Sequence, residues 1–140
     1  AFVARLAAEL RAACAELGVV EIDATTVEIC AVEAVNNAIE HAYGGRPGSR
    51  VEVALALSGD ELSLEIRDAG RPLPPGRLDE AQSVEHPLHD PDALPERGMG
   101  LAILKEAMDE VAYASAGGVN TLRLCRRVAL SAPGAALRPA

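Results

Sequence analysis

Tryptophan is absent from this 140-residue chain, and one Phe with two Tyr make up its aromatic content, although 49% of the residues are hydrophobic. The core must therefore be assembled from Ala, Val, Leu and Ile. Basic residues are also scarce, with 13 Lys and Arg against 21 Asp and Glu and a net charge of −8. That deficit argues against a nucleic-acid partner held through its phosphates. No apolar run approaches the ~20 residues that span a bilayer, so no membrane role is expected. Cys14, Cys30 and Cys125 are too few and too scattered for a disulfide framework or a zinc site. They are expected to be reduced core thiols of a cytoplasmic protein. The sequence begins at Ala1 and opens with no signal-peptide pattern, and is expected to be a trimmed chain or a piece of a longer one. The length suits one compact domain over residues 1–130.

What is present falls into a sequence of periodic segments. Phe2, Val3, Leu6, Leu10, Cys14 and Leu17 recur at helical spacing, and Gly18 marks a C-terminal stop. A second helix is predicted from Asp23 or Thr25, either of which suits an N-cap, to about Tyr43. Val27, Ala31, Val35, Ala38, Ile39 and Ala42 form its apolar stripe. From Arg50 the period becomes two, with Val51, Val53, Leu55 and Leu57, a Ser58-Gly59-Asp60 turn, then Leu62, Leu64 and Ile66, which predicts an antiparallel hairpin. Residues 71–97 hold six of the nine prolines and are predicted to be a long loop with one short helical turn at Leu78, Ala81 and Val84. Loops of that length inside a compact domain are usually functional or disordered. A third helix opens at Gly98-Met99-Gly100, and a last strand pair surrounds Gly117-Gly118. The tail, 131–140, is rich in Ala, Pro and Gly and is expected to fray. Helices gathered on one face of an antiparallel sheet make a two-layer α+β sandwich.

Three local features carry chemistry. Glu33, Asn37 and His41 repeat at i, i+4 and i+8 on the second helix, with Glu40 beside them. Such a stripe also fits an ordinary solvated side. Against that reading stand Asn36 and Asn37, because Asn is a poor helix former and solvent faces favour Lys, Arg and Glu. An amide oxygen and a carboxylate one turn apart suit magnesium and a water or hydroxyl, since this ion takes its other ligands from water and phosphate. Asp68, followed by Gly70 and Pro72, closes a strand. It reads either as a turn or as a carboxylate that accepts a hydrogen bond from the amine of adenine, with Gly70 leaving room for the ring. Arg97-Gly98-Met99-Gly100-Leu101 opens a helix, where backbone N–H groups and the helix dipole favour an anion; a flexible hinge is the alternative. Neither a dinucleotide-binding G-x-G-x-x-G after a strand nor a P-loop motif occurs.

Taken in order, E-x-x-x-N on a helix, D-x-G-x-P after a strand, a long loop and R-G-x-G-L before a helix resemble the Bergerat-type, histidine-kinase-like ATP-binding fold of gyrase and histidine kinases. The segments EAVNNAIEHAY, LEIRDAGRPLPP, ERGMGLAILKEAMDEVAY and GGVNTLRL are most similar to the anti-sigma factor serine kinases of the RsbW and SpoIIAB type. The resemblance covers nearly the whole chain, although the family's usual first strand is not evident before Phe2. It implies that Glu33 is the general base and Asn37 the magnesium ligand. It implies that Asp68 reads adenine beside Gly70, and that Arg97, Gly98, Met99, Gly100 and Leu101 form the phosphate loop. Loop 71–97 would be the ATP lid, with Arg97 near the γ-phosphate. Thr121 matches a strand threonine near adenine, with Asn120 competing for that place. His41 matches a family position and is equally explained as a structural histidine.

Two functions follow from the resemblance. One is an enzyme that uses Mg-ATP to phosphorylate a serine on an anti-anti-sigma (STAS) partner and sequesters a sigma factor. The other is an anti-sigma or scaffold module without transfer, for which the D-x-G-x-P departure from D-x-G-x-G speaks. A catalytic domain cut from a larger sensor is a third possibility. Homodimerisation is implied by the resemblance alone.

Overall fold

The computed structural model describes residues 2–44, 50–74 and 99–131. Helix α1 (Phe2–Glu16) and helix α2 (Glu21–Asn37) come first, and α2 continues into a π-helical turn at Ala38–Ala42. Strands β1 (Val51–Ser58) and β2 (Glu61–Asp68) follow. Helix α3 (Met99–Ala107) then precedes strands β3 (Glu110–Ala116) and β4 (Val119–Arg127). The four strands form one antiparallel sheet in the order β1-β2-β4-β3. The expected α+β sandwich is what forms.

Gly18 ends α1 at φ +82°, where the Val19 N–H returns to the Cys14 carbonyl at 3.0 Å. That left-handed cap lets the chain reverse into α2. α2 begins two residues before the earlier of the expected caps. Val20 occupies the N-cap position without a side-chain bond, because Asp23 is needed elsewhere. Asp23 is buried and holds Arg126 at 2.9 Å through Oδ1 and accepts the Ala129 N–H at 2.8 Å through Oδ2. Thr25 accepts a hydrogen bond from Arg11 on α1 instead of capping.

Period-two alternation puts one side of the sheet against the helices. Leu64 and Ile66 of β2 lie opposite Leu124 and Leu122 of β4 and Leu62 lies opposite Arg126, and the five apolar residues are buried. They meet Leu6, Leu10 and Cys14 of α1, Val27, Cys30, Ala31, Ala34 and Val35 of α2, and Leu101 and Leu104 of α3 in one core. At about 25 cal/mol per Å² of apolar surface removed from water, such burial is the main stabilising term. Phe2 and Leu17, at the ends of the predicted α1 stripe, are exposed. All three cysteines are free and buried, as expected of core thiols.

The predicted helical turn at Leu78, Ala81 and Val84, most of the proline-rich loop and the 132–140 tail lie outside the described residues. Among the described residues, no helix is long and apolar enough to cross a membrane.

Candidate nucleotide site

The sheet registers build one end of the site. Across the four strands, the helix-facing residues of the outermost row are Val51, Asp68, Asn120 and Ser115. The next row is Val53, Ile66, Leu122 and Tyr113. The apolar face therefore turns polar at its last row. Asn120 is 2% exposed and, with Asp23, one of two buried polar residues among those described. A buried amide must be hydrogen-bonded. Its Nδ2 donates to Asp68 Oδ1 at 2.7 Å and to the Gly70 carbonyl at 2.9 Å, and its Oδ1 accepts from Ser115 Oγ at 2.7 Å.

The chain leaving Asp68 is tied down donor by donor. Ala69 N–H donates to Tyr43 Oη at 2.7 Å and Gly70 N–H to Asp68 Oδ1 at 3.0 Å. Arg71 N–H donates to the Ala42 carbonyl at 2.8 Å and Leu73 N–H to Tyr113 Oη at 2.8 Å. Pro72 has no N–H to satisfy. Every backbone donor from 69 to 73 is paired, so the root of the expected lid is anchored. Gly70 makes this possible: a Cβ there would lie 2.4 Å from the Ala42 oxygen.

The facing wall is the end of α2. Ala34, Asn37, Ala38, His41 and Ala42 line a pocket closed by Ile66, Asp68, Arg71, Leu73, Tyr113 and Leu122. Small alanines alternate with polar side chains, which leaves space between helix and sheet. The π-helical turn at Ala38–Ala42 widens the helix over this stretch, a distortion frequent at functional sites. Because Gly70 packs on Ala42, the helical rise sets an order along the wall. Asn37 lies about 7 Å and Glu33 about 13 Å along the axis from Ala42. Asp68 is thus at one end, Asn37 in the middle and Glu33, half-buried, beyond the pocket's lining.

The chemistry of the donors fits magnesium. Among the described residues no group of three His, Cys, Asp or Glu is placed to hold a metal. An ion drawing one neutral oxygen from Asn37 and the rest from phosphate and water needs no such group.

Asn37, Asp68 and Gly70 are brought together, and His41 lines the same pocket. Arg97 and Gly98 lie outside the described residues, and Met99 and Gly100 form the first residues of α3. Leu101 is 2% exposed in the core, so its side chain packs and only its backbone faces the helix start. Thr121 requires a correction. It alternates with Leu122 and Asn120, which face the helices, and so belongs to the opposite side of the sheet with Arg67 and Ala114. Asn120 is the residue that meets Asp68.

Arg71, Leu73, Tyr113 and Ser115 were not singled out from the sequence. For Tyr113 and Ser115 a signal existed, since both share strand parity with the inward Val111. Burial pushes the Tyr113 phenol above its ordinary range; the Leu73 N–H opposes this and the Asp68 charge adds to it. Tyr113 therefore remains a neutral hydroxyl on the pocket wall.

Comparison with known proteins matches residues 1–126 to the histidine kinase-like ATPase domain. The chain is 31% identical over 98 residues to the serine-protein kinase RsbW of Bacillus velezensis, covering 70% of this chain and 61% of that one. It is 32% identical over 111 residues to RsbW of Bacillus pumilus, covering 74% and 65%. It is 30% identical over 109 residues to the anti-sigma F factor of Anoxybacillus flavithermus, covering 76% and 71%. The chain thus spans somewhat under two thirds of the RsbW relatives' length. The histidine kinase domain of a blue-light activated kinase from Erythrobacter litoralis shares the fold, with a TM-score of 0.55, 16% identity, and 76% of this chain and 45% of that one covered. With the family model matching residues 1–126 of its 140, this chain belongs to the histidine kinase-like ATPase domain family.

Proposed function

We propose that this domain binds Mg-ATP with its base against Asp68 and its phosphates toward Asn37 and Glu33, and transfers the γ-phosphoryl group to a serine of an anti-anti-sigma (STAS) protein. The observation that carries the reading is the convergence of Asn37 and Asp68 on one pocket. The names of the RsbW and anti-sigma F relatives support a serine-protein kinase and a sigma-factor partner; the STAS class of the substrate comes from the sequence resemblance. The anti-sigma F name supports sequestration of a sigma factor; the dimeric form rests on the sequence resemblance, and the cytoplasmic location on the reduced core thiols expected from the sequence.

Each residue has a separable task. Asp68 accepts a hydrogen bond from the base amine. Asn37 offers an amide oxygen to the cation, whose bound charge neutralises the phosphates during transfer. Glu33 accepts the proton of the attacking serine hydroxyl. Phosphoryl transfer asks the protein mainly for position and charge, and a general base contributes typically ~10²–10⁴-fold. Arg97, Gly98, Met99 and Gly100 would meet the phosphates beneath lid 71–97, with Leu101 contributing only its backbone.

The test is incubation with magnesium, labelled ATP and the STAS-domain protein encoded beside this chain, comparing wild type with Glu33→Gln and Asn37→Ala. Label on a partner serine with wild type, nearly lost in Glu33→Gln while ATP binding persists, is the expected result. Tight ATP binding without transfer to any STAS candidate would identify a binding module instead, the reading for which the D-x-G-x-P form at Asp68–Pro72 speaks. Failure of wild type to bind ATP at millimolar magnesium would overturn the pocket assignment.

A further inference from the structure

Asp68 has two carboxylate oxygens, and the described hydrogen bonds fall on one of them. Oδ1 accepts from Asn120 Nδ2 at 2.7 Å and from the Gly70 N–H at 3.0 Å. Asn120 is itself fully committed: both amide protons are donated, one to Asp68 and one to the Gly70 carbonyl, and its oxygen accepts from Ser115 Oγ. The reverse amide orientation would set its oxygen against a carboxylate and a carbonyl, two acceptor–acceptor contacts. Ser115 contributes from outside, since it is exposed on the edge strand β3 and in register with Asn120.

From this geometry we infer that Ser115 and Asn120 are positioning residues that hold the Asp68 carboxylate in place, with one oxygen saturated by the protein and the other left to read the base. The Asp68 carboxylate and the Gly70 carbonyl set the orientation of the Asn120 amide and the Ser115 hydroxyl steadies it from behind; the amide and the Gly70 N–H saturate Oδ1, and Oδ2 is left to accept from a ligand in the pocket that Asp68 lines. A carboxylate oxygen held there accepts from a ring amine and repels a ring carbonyl. The relay thus sharpens discrimination between 6-amino and 6-oxo purines, and it does so without touching the nucleotide. The inference rests on the proposed ATP reading of this pocket.

Ser115 is the informative position because its exposure lets it be changed without opening the core. Affinities for ATP and for inosine triphosphate, which carries a carbonyl where ATP has the amine, are measured with magnesium for wild type, Ser115→Ala and Ser115→Thr. Loosening the carboxylate should weaken its hydrogen bond to the base amine, and the loss of ATP affinity is bounded by the worth of that one bond, about three- to tenfold. Inosine triphosphate should change little, because the carboxylate repels it in either orientation. The preference for ATP therefore falls in Ser115→Ala and returns in Ser115→Thr, which keeps the hydroxyl. An unchanged preference, or equal weakening of both nucleotides, would overturn the relay while leaving the ATP pocket standing. Absence of ATP binding by wild type would overturn both.

Discussion

A methyl group at position 70 has nowhere to go. The ideal Cβ would sit 2.4 Å from the Ala42 carbonyl oxygen, 2.7 Å from its carbonyl carbon and 2.8 Å from its Cβ. All three belong to the π-helical turn, so no flexible side chain can swing aside. Gly70→Ala must separate the turn after β2 from the end of α2. Overpacking of this kind costs about 1–3 kcal/mol, and losing the 2.8 Å bond from Arg71 N–H to the Ala42 carbonyl adds about 0.5–1.5 kcal/mol. A combined loss of about 1.5–4.5 kcal/mol corresponds, at about 3–4 °C per kcal/mol for a chain of this size, to a melting temperature lower by about 5–18 °C. Circular-dichroism melts of wild type, Gly70→Ala and Gly59→Ala make the comparison. Gly59 lies in the β1–β2 turn at φ +63° with no atom within 4 Å of an added Cβ. Its substitution carries only the left-handed backbone cost of about 1–2 kcal/mol. Gly70→Ala should also weaken ATP binding, because it displaces Asp68 relative to Asn37, whereas Gly59→Ala should not. A Gly70→Ala protein melting within about 2 °C of wild type would refute the close approach on which this site geometry depends.

The Asp23–Arg126 pair is the main polar anchor away from the site. Burial raises the Asp23 carboxyl, but the Ala129 N–H and the Arg126 guanidinium outweigh it and hold the group below its ordinary value. With the Arg126 side chain a quarter exposed, Asp23→Asn should cost about 1–3 kcal/mol in urea unfolding at pH 7, less than the full figure for a buried pair. A folded value below the unfolded ~3.9 means that this contribution is present above about pH 4 and disappears as pH falls through the folded value. The gap between wild type and Asp23→Asn should therefore close on acidification; a gap that widens below pH 4 would contradict the assignment. Burial pushes the Cys30 thiol up to about 11 and raises Cys14 and Cys125 as well. Thiol titration with a disulfide reagent at pH 8 should accordingly be slow in the native protein and show three thiols in denaturant. Rapid labelling of one native thiol would place that cysteine outside the core.

The amino-acid sequence by itself determined the layers and most of the chemistry. Periods of 3.6 and 2 follow directly from backbone geometry, so α1, both hairpins and the inward face were legible without coordinates. Spacing put Glu33 and Asn37 on one helical face, and the ordered motifs linked them to Asp68. The choice between Thr121 and Asn120 stayed open in the motifs, although strand parity carries a signal, since only Asn120 is in phase with the buried Leu122 and Leu124. Tertiary structure alone decided the rest. Asp23 looked like a helix cap because local propensity says nothing of Arg126, 103 residues away. The register between β2 and β4 set Asp68 opposite Asn120, and a slip of one residue would have turned the amide to the other face. The π-helical turn depends on which carbonyl each N–H finds. The hydroxyls of Tyr43 and Tyr113 reach Ala69 and Leu73 only across the folded chain. Residue types determined which groups were available, and long-range pairing decided which of them share a pocket.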